Sequence, residues 1–405
     1  MTSPAGHAKP IGRDRALLVV ALVLTGLSMR TAVTSVGAVL DSLQSGLHLS
    51  SSGASVLTTL PVICFAGIGA VAPWLAHRFG SHQLLVLALT AMTAGLLTRV
   101  LVNVGWAFVL LSTFALSGGA IANILMPSLV KRHFPDRIGR MTAVYSTALA
   151  VGITAAAGLT VPIGSIGDGW RTGLASWAVL SLLAIAAWLP TLRHDRPDRS
   201  ARRTGQAAAL QRSPLAWSLM LFFAFQSFQA YVAFGWFAKF FHSHGVSNST
   251  AGALVAVLTA VLIPVSLVAP GLTLRHARAV IVVLGGCALV AYVGMLIAPV
   301  GGDWIWMVLA GTGGGMFPVA LTLIGLRARE AATTAGLSAF VQTRGYVLAG
   351  TGPLLFGVLH GATNSWSLPM ATLVLAVVIS VVAGWLAAAP RYVDDELAAE
   401  VEGMA

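Results

Sequence analysis

The chain has 405 residues, 57% of them hydrophobic and only 9% charged, with 24 Lys+Arg against 13 Asp+Glu and a formal net charge of +11. Soluble chains of this size carry about a quarter charged residues, so secreted, fibrous and disordered proteins and ordinary globular enzymes are excluded. The charges fall in short clusters between apolar runs of about 20 residues, the length that crosses a ~30 Å hydrocarbon core as a helix, and the lipid bilayer is the implied partner.

In chain order, residues 1–14 are an expected cytoplasmic tail, and apolar runs follow at 15–40, 53–77, 82–103, 106–130, 139–163 and 170–189. The first run comes after Lys9, Arg13 and Arg15, as a signal peptide would, but its length and the absence of a clear small-residue cleavage site favour a retained span. The polar stretch 190–213 is the longest break and reads as a cytoplasmic central loop. Six more runs follow, at 214–241, 250–273, 278–299, 303–326, 333–359 and 366–388, with 389–405 as a second cytoplasmic tail. The expected fold is all-α and integral to the membrane, with twelve transmembrane helices in two six-helix bundles, 15–189 and 214–388.

Orientation follows from loop charge. With the N-terminus inside, nineteen basic residues lie on the cytoplasmic side and three, Arg99, Arg171 and Lys239, lie outside, which is the positive-inside pattern of a cytoplasmic (inner) membrane protein. The basic balance is thereby a topology signal, and no nucleic-acid partner is expected. Tryptophans such as Trp106, Trp170, Trp236 and Trp366 fall near span ends, where they act as interfacial anchors. Cys64 and Cys287 sit inside apolar runs without metal-ligand spacing, so neither a disulfide nor a metal or cofactor site is expected. Weak internal repetition supports a carrier built from two related halves with its substrate near the midplane: Gly118, Gly119 and Arg132 recur as Gly313, Gly314 and Arg327 at an offset of 195.

Two cations lie deep. Arg30 is near the middle of span 1 and Arg344 near the middle of span 11, and every carboxylate falls in a loop, a span end or a tail. Each central arginine costs about 2.5–3.5 kcal/mol. Bonding to backbone carbonyls, or snorkelling toward an interface, is one way to meet that cost; a bound anion held by the planar guanidinium fork is the other. Site polarity is expected from Asn123 in span 4, Gln226 and Gln229 in span 7, and Gln342 and Tyr346 in span 11. Gln226 and Gln229 are three residues apart and share a face. Gln342 and Arg344 are about 200° apart on the helix, so one of the two faces a central cavity. No buried carboxylate is available as a proton relay, which suits anion exchange or a substrate that carries its own proton. Without a cluster of nucleophile, base or metal ligands the chain is not expected to be an enzyme.

Four segments narrow the family: MRTAVTSVG (29–37), SVLTTLPVICFA (55–66), NILMPSLVKRHFPDR (123–137) and LSAFVQTRGYVLAGTGPLLFGVLH (337–360). Together with the six-plus-six layout they resemble the major facilitator superfamily and, within it, the cyanate and nitroimidazole permease family. His77, in Ala76-His77-Arg78-Phe79-Gly80, stands where the superfamily's loop pattern has Asp. The resemblance implies two pseudo-symmetric bundles, alternating access, and a cavity lined by spans 1, 4, 7 and 10 and gated by 2, 5, 8 and 11. It implies secondary transport of a small-molecule substrate by a functional monomer. Cyanate or a small organic acid held by Arg30 is the first expectation, and efflux of a neutral or weakly basic nitroimidazole-like compound is the alternative.

Overall fold

The computed structural model of the chain describes residues 12–49, 51–194 and 210–403, and these are helical with short connections. Most of the expected loop 190–213 and the first eleven residues lie outside that range.

Span 1 is three helices: α1 (Gly12–Ser28), α2 (Thr31–Ala38) and α3 (Leu40–Gly46). The reason is local. Thr25, Ser28, Thr31 and Ser35 each donate a hydroxyl to a carbonyl three or four residues back, a pattern that bends helices. Thr31, Val33, Thr34 and Val36 add β-branched residues of poor helix propensity. The chain opens at Arg30, the N-cap of α2, with φ −112° and ψ −6°. The rest of the first half is α4 (Ser51–Phe79), α5 (Ser81–Thr98), α6 (Gly105–His133), α7 (Ile138–Gly164) and the pair α8 (Trp170–Ala175) and α9 (Ala178–Trp188).

In the second half, α10 (Pro214–Ser243) starts with proline after Ser213, whose hydroxyl accepts from the Ala216 N–H at 3.0 Å; this is an ordinary N-cap. Helix α11 (Asn248–Ile297) runs 50 residues but loses helical geometry at His276, with φ −133° and ψ 40°. At 1.5 Å per residue an unbroken helix of that length would span roughly 75 Å, so it supplies two passes. Span 10 is α12 (Asp303–Gly313) and α13 (Met316–Leu326), separated at the glycine run 313–315. Helices α14 (Ala331–Thr363), α15 (Ser367–Ala387) and α16 (Val393–Gly403) follow. Among the described residues nine stretches are long and apolar enough to cross a membrane. The doubled α11 and the more polar α4 and α14 bring the passes to the expected twelve.

Close helix approach holds the first half together. A side chain on Gly152 of α7 would collide with the Leu27 carbonyl oxygen, and a Cβ on Gly26 of α1 would lie 2.5 Å from the Tyr145 carbonyl oxygen. The halves meet along α4 with α14 and along α7 with α11. Their polar contacts gather toward the end that carries Lys131, Arg132, Arg327 and Arg329, hereafter the basic end. Ser338 Oγ donates to the Ile124 carbonyl at 2.8 Å and Lys131 Nζ to the Gly325 carbonyl at 3.2 Å. Ala72, Ile124 and Ala339 form a small apolar plug beside them.

Within the expected tail 389–405, residues Val393–Gly403 are helical. Helix α16 docks on the basic end, where Arg329 pairs with Asp395 at 2.9 Å and Ser213 Oγ donates to Glu396 at 2.5 Å.

Candidate functional site

A cleft begins one to two helical turns beyond the seal at the basic end and extends toward the opposite end. Its walls come from α7 (Leu149, Ile153), α10 (Gln226, Tyr231, Phe234), α11 (Leu258, Leu262, Tyr292) and the glycine-rich junction of α12 with α13. Gly311 and Gly313 press on the Leu258 carbonyl oxygen and on Ala288 respectively. The run Gly311-Thr-Gly-Gly-Gly is therefore a close-packing device whose backbone also lines the cleft.

Arg30 adds to the first half's share of that wall. Because α1 ends at Ser28, its side chain leaves the axis at a helix interruption and reaches across to the second half. Nη2 donates to Tyr346 Oη at 2.8 Å and Nη1 to Tyr231 Oη at 3.3 Å. The guanidinium carbon lies 4.7 Å from the Phe65 ring centroid and 5.8 Å from that of Tyr346. Phe65 and Phe223 pack on Tyr346, each with centroids 5.0 Å away. Two hydrogen bonds to a charged group contribute about 1.5–3 kcal/mol each, and the ring faces add roughly 0.5–2. These terms offset the burial of the cation and let the protein fold with the site empty. They leave its charge in place: no carboxylate among the described residues pairs with Arg30.

Behind Arg30 the network continues into the seal. Asn123 Nδ2 donates to Tyr346 Oη at 3.3 Å and to Gln342 Oε1 at 2.5 Å, and Gln342 Nε2 donates to Ser338 Oγ at 2.8 Å. Tyr346 Oη, in the second half, thus accepts two bonds from the first, and its own O–H remains to be donated. The site presents N–H and O–H donors around one cation, which is the chemistry of an anion or a nitro group rather than of a second cation. No group of three or more metal-ligating side chains is present among the described residues.

The structure brings six of the seven expected site residues together. Arg30, Asn123, Gln342 and Tyr346 form the network, and Gln226 lines the cleft with its amide donating to the Phe223 carbonyl at 3.0 Å and to Ser227 Oγ at 2.6 Å. Gln229 shares that wall but donates to the Phe225 carbonyl at 3.0 Å, within its own helix. Arg344 is elsewhere. Its guanidinium stacks 4.1 Å from the Phe340 ring centroid, beside Trp217, and it does not line the cleft. The roughly 200° between it and Gln342 is what separates them. Tyr231 and Phe65 were not expected. A tyrosine or phenylalanine in an apolar span carries no signal of its own, since such residues are common as packing and interfacial groups. Arg99, counted among the outer-side basic residues, is fully buried and donates to the Ala32 carbonyl of α2.

Comparison with known proteins agrees with this architecture. Residues 18–350 match the family model of the Major Facilitator Superfamily. The 2-nitroimidazole transporter of Escherichia coli K12 is 34% identical over 366 residues, covering 89% of this chain and 92% of that protein. The cyanate transport protein CynX of the same organism is 29% identical over 366 residues, covering 89% and 94%. The fold is shared with the crystal structure of the E. coli fucose:proton symporter FucP at a TM-score of 0.69 and 13% identity, covering 91% of this chain and 98% of that one. The chain is a multi-pass membrane transporter, and it belongs to the Major Facilitator Superfamily, in the family that holds these cyanate and nitroimidazole carriers.

Proposed function

We propose that this protein moves a small anion, cyanate or a small organic acid, across the cytoplasmic membrane by alternating access, with Arg30 as the central binding residue. The observation that carries the reading is a guanidinium at the cleft wall, bonded to two phenols from the opposite half and, among the described residues, paired with no carboxylate. An anion arriving 4 Å away gains about 4 kcal/mol at an effective dielectric near 20. It also bridges the halves, because Arg30 belongs to one and Tyr231 and Tyr346 to the other. The basic end is the cytoplasmic one in this reading, with both termini there, so the sealed conformation faces outward. The bundles 15–189 and 214–388 then rock about the site as a functional monomer, joined by the loop 190–213. The similarity to a cyanate transport protein supports the substrate class.

The apolar lining of the cleft favours a second reading. Phe234, Phe317 and Tyr292 offer room for a flat ring whose nitro oxygens meet Arg30, in keeping with the 2-nitroimidazole relative. Labelled-cyanate uptake into proteoliposomes separates the two. Wild type accumulates cyanate, Arg30→Ala does not, and Arg30→Lys is strongly impaired. Uptake at wild-type rates by both variants rejects the anion reading. Cyanate-indifferent protein that carries a nitroimidazole establishes the second.

A further inference from the structure

Arg99 is a second buried arginine without a carboxylate. It follows α5 directly, its side chain is fully buried, and the ion pairs among the described residues do not include it. Nη1 donates to the Ala32 carbonyl at 3.3 Å and Nη2 makes a long contact to Ser35 Oγ at 3.5 Å, while the guanidinium carbon lies 5.7 Å from the Phe108 ring centroid. Its Nε finds no acceptor, and neither does the buried hydroxyl of Ser112, one turn along α6 from Phe108. Packing and one carbonyl contact do not require a cation here. A methionine would fill the space, and a glutamine would bond the carbonyl, without a charge to desolvate.

Position explains the charge. Ala32 and Ser35 lie two and five residues beyond Arg30 on α2, roughly 3–8 Å of helical rise. Arg30 and Arg99 therefore flank one two-turn helix, with their guanidinium groups on the order of 10 Å apart along and across it. An anion held by Arg30 lies a little farther from Arg99, roughly 12 Å, where at an effective dielectric near 20 a unit charge shifts its affinity by about tenfold and leaves a neutral solute unaffected.

We propose that Arg99 is a specificity-determining residue: a fixed charge behind α2 that, without touching the substrate, raises the preference of the Arg30 site for anions over neutral solutes. The inference rests on the anion reading of Arg30. The decisive variant is Ser35→Asp. It places a carboxylate on the atom Arg99 already approaches, so it keeps α2 pinned while cancelling the charge.

Thermal-shift titrations of the purified full-length protein use cyanate and, as the neutral probe, 1-methyl-2-nitroimidazole, which has no acidic N–H. Ser35→Asp and Arg99→Gln each weaken cyanate binding about tenfold and change the neutral probe by no more than about twofold, while Arg99→Lys stays within about threefold of wild type for both. A folded Ser35→Asp protein with wild-type cyanate affinity overturns the proposal, even where Arg99→Gln fails to fold, because Arg99 is then only a pin. Equal losses for both probes overturn it too, as the mark of a distorted site. Wild-type protein that binds no cyanate overturns the anion reading of Arg30 and this inference with it, an outcome distinct from a defect confined to the variants.

Discussion

Replacing Arg30 with glutamine isolates the charge from the space it fills. In the folded apo protein the substitution removes a central cation, worth about 2.5–3.5 kcal/mol of relief. It also forfeits the bonds to Tyr231 and Tyr346, about 1.5–3 kcal/mol each. The two largely cancel, so Arg30→Gln folds, with a net change between a gain of about 0.5 and a loss of about 3.5 kcal/mol. Anion binding has no such cancellation. Losing about 4 kcal/mol of attraction at 4 Å, partly replaced by an amide donor, weakens cyanate affinity by about two to three decades. At a cyanate concentration a hundredfold above its dissociation constant, wild type is stabilised by about 2.7 kcal/mol. The variant at the same concentration gains less than ~0.5 kcal/mol. Thermal unfolding over a cyanate series, with wild type and variant side by side, reads both quantities. An Arg30→Gln protein that still responds to cyanate with a midpoint within about threefold of wild type would refute the reasoning.

Other outcomes follow from the same geometry. Arg344→Met leaves cyanate affinity within about threefold of wild type, since Arg344 is partly exposed and stacks on Phe340 on the far face of its helix, where its charge is screened from the cleft, unlike the fully buried Arg99; the same titration checks it. Gly152→Val costs about 3 kcal/mol or more by forcing α7 off the Leu27 carbonyl. Gly158→Ala, on the same helix with nothing within 4 Å of the added carbon, gains about 0.5 kcal/mol from helix propensity; melting temperatures of the two decide. Gln342→Leu strands Asn123 in the seal at a cost of about 1–3 kcal/mol to the closed basic end. A cysteine at Ala339, in the apolar plug, is then alkylated faster, about tenfold for each 1.4 kcal/mol.

Much of this protein is legible in its sequence. The number and order of passes follow from runs long enough to bury their own backbone hydrogen bonds in hydrocarbon, a property of each segment alone. Arg30 stood out for the same reason, since an ionised group in the middle of such a run is costly wherever the helix packs. The polar partners on spans 4 and 11 were found as well, because Asn123, Gln342 and Tyr346 are polar atoms at membrane depth. What escaped was everything that depends on where a helix turns or stops. The break at Met29–Arg30 arises from many weak hydroxyl-to-carbonyl bonds acting together, and it determines which way the guanidinium leaves the axis.

Contacts between the halves were equally out of reach. Tyr231 meets Arg30 across 201 positions of chain, and Phe65 supports it only because α4 packs along α14. Loop counting assigns Arg99 to a side of the membrane but not to a degree of burial, and α2, turned aside after the break, lies over it and shuts out water. Arg30 and Arg344 looked alike in sequence, each a lone cation in mid-span, and folding sent one to the cleft and the other to a ring on the far face of its helix. Burial in lipid is decided one segment at a time, from composition and length. Whether a buried charge faces a cavity, a ring or a carbonyl depends on rotation about a helix axis, and that angle is set by neighbours distant in the chain.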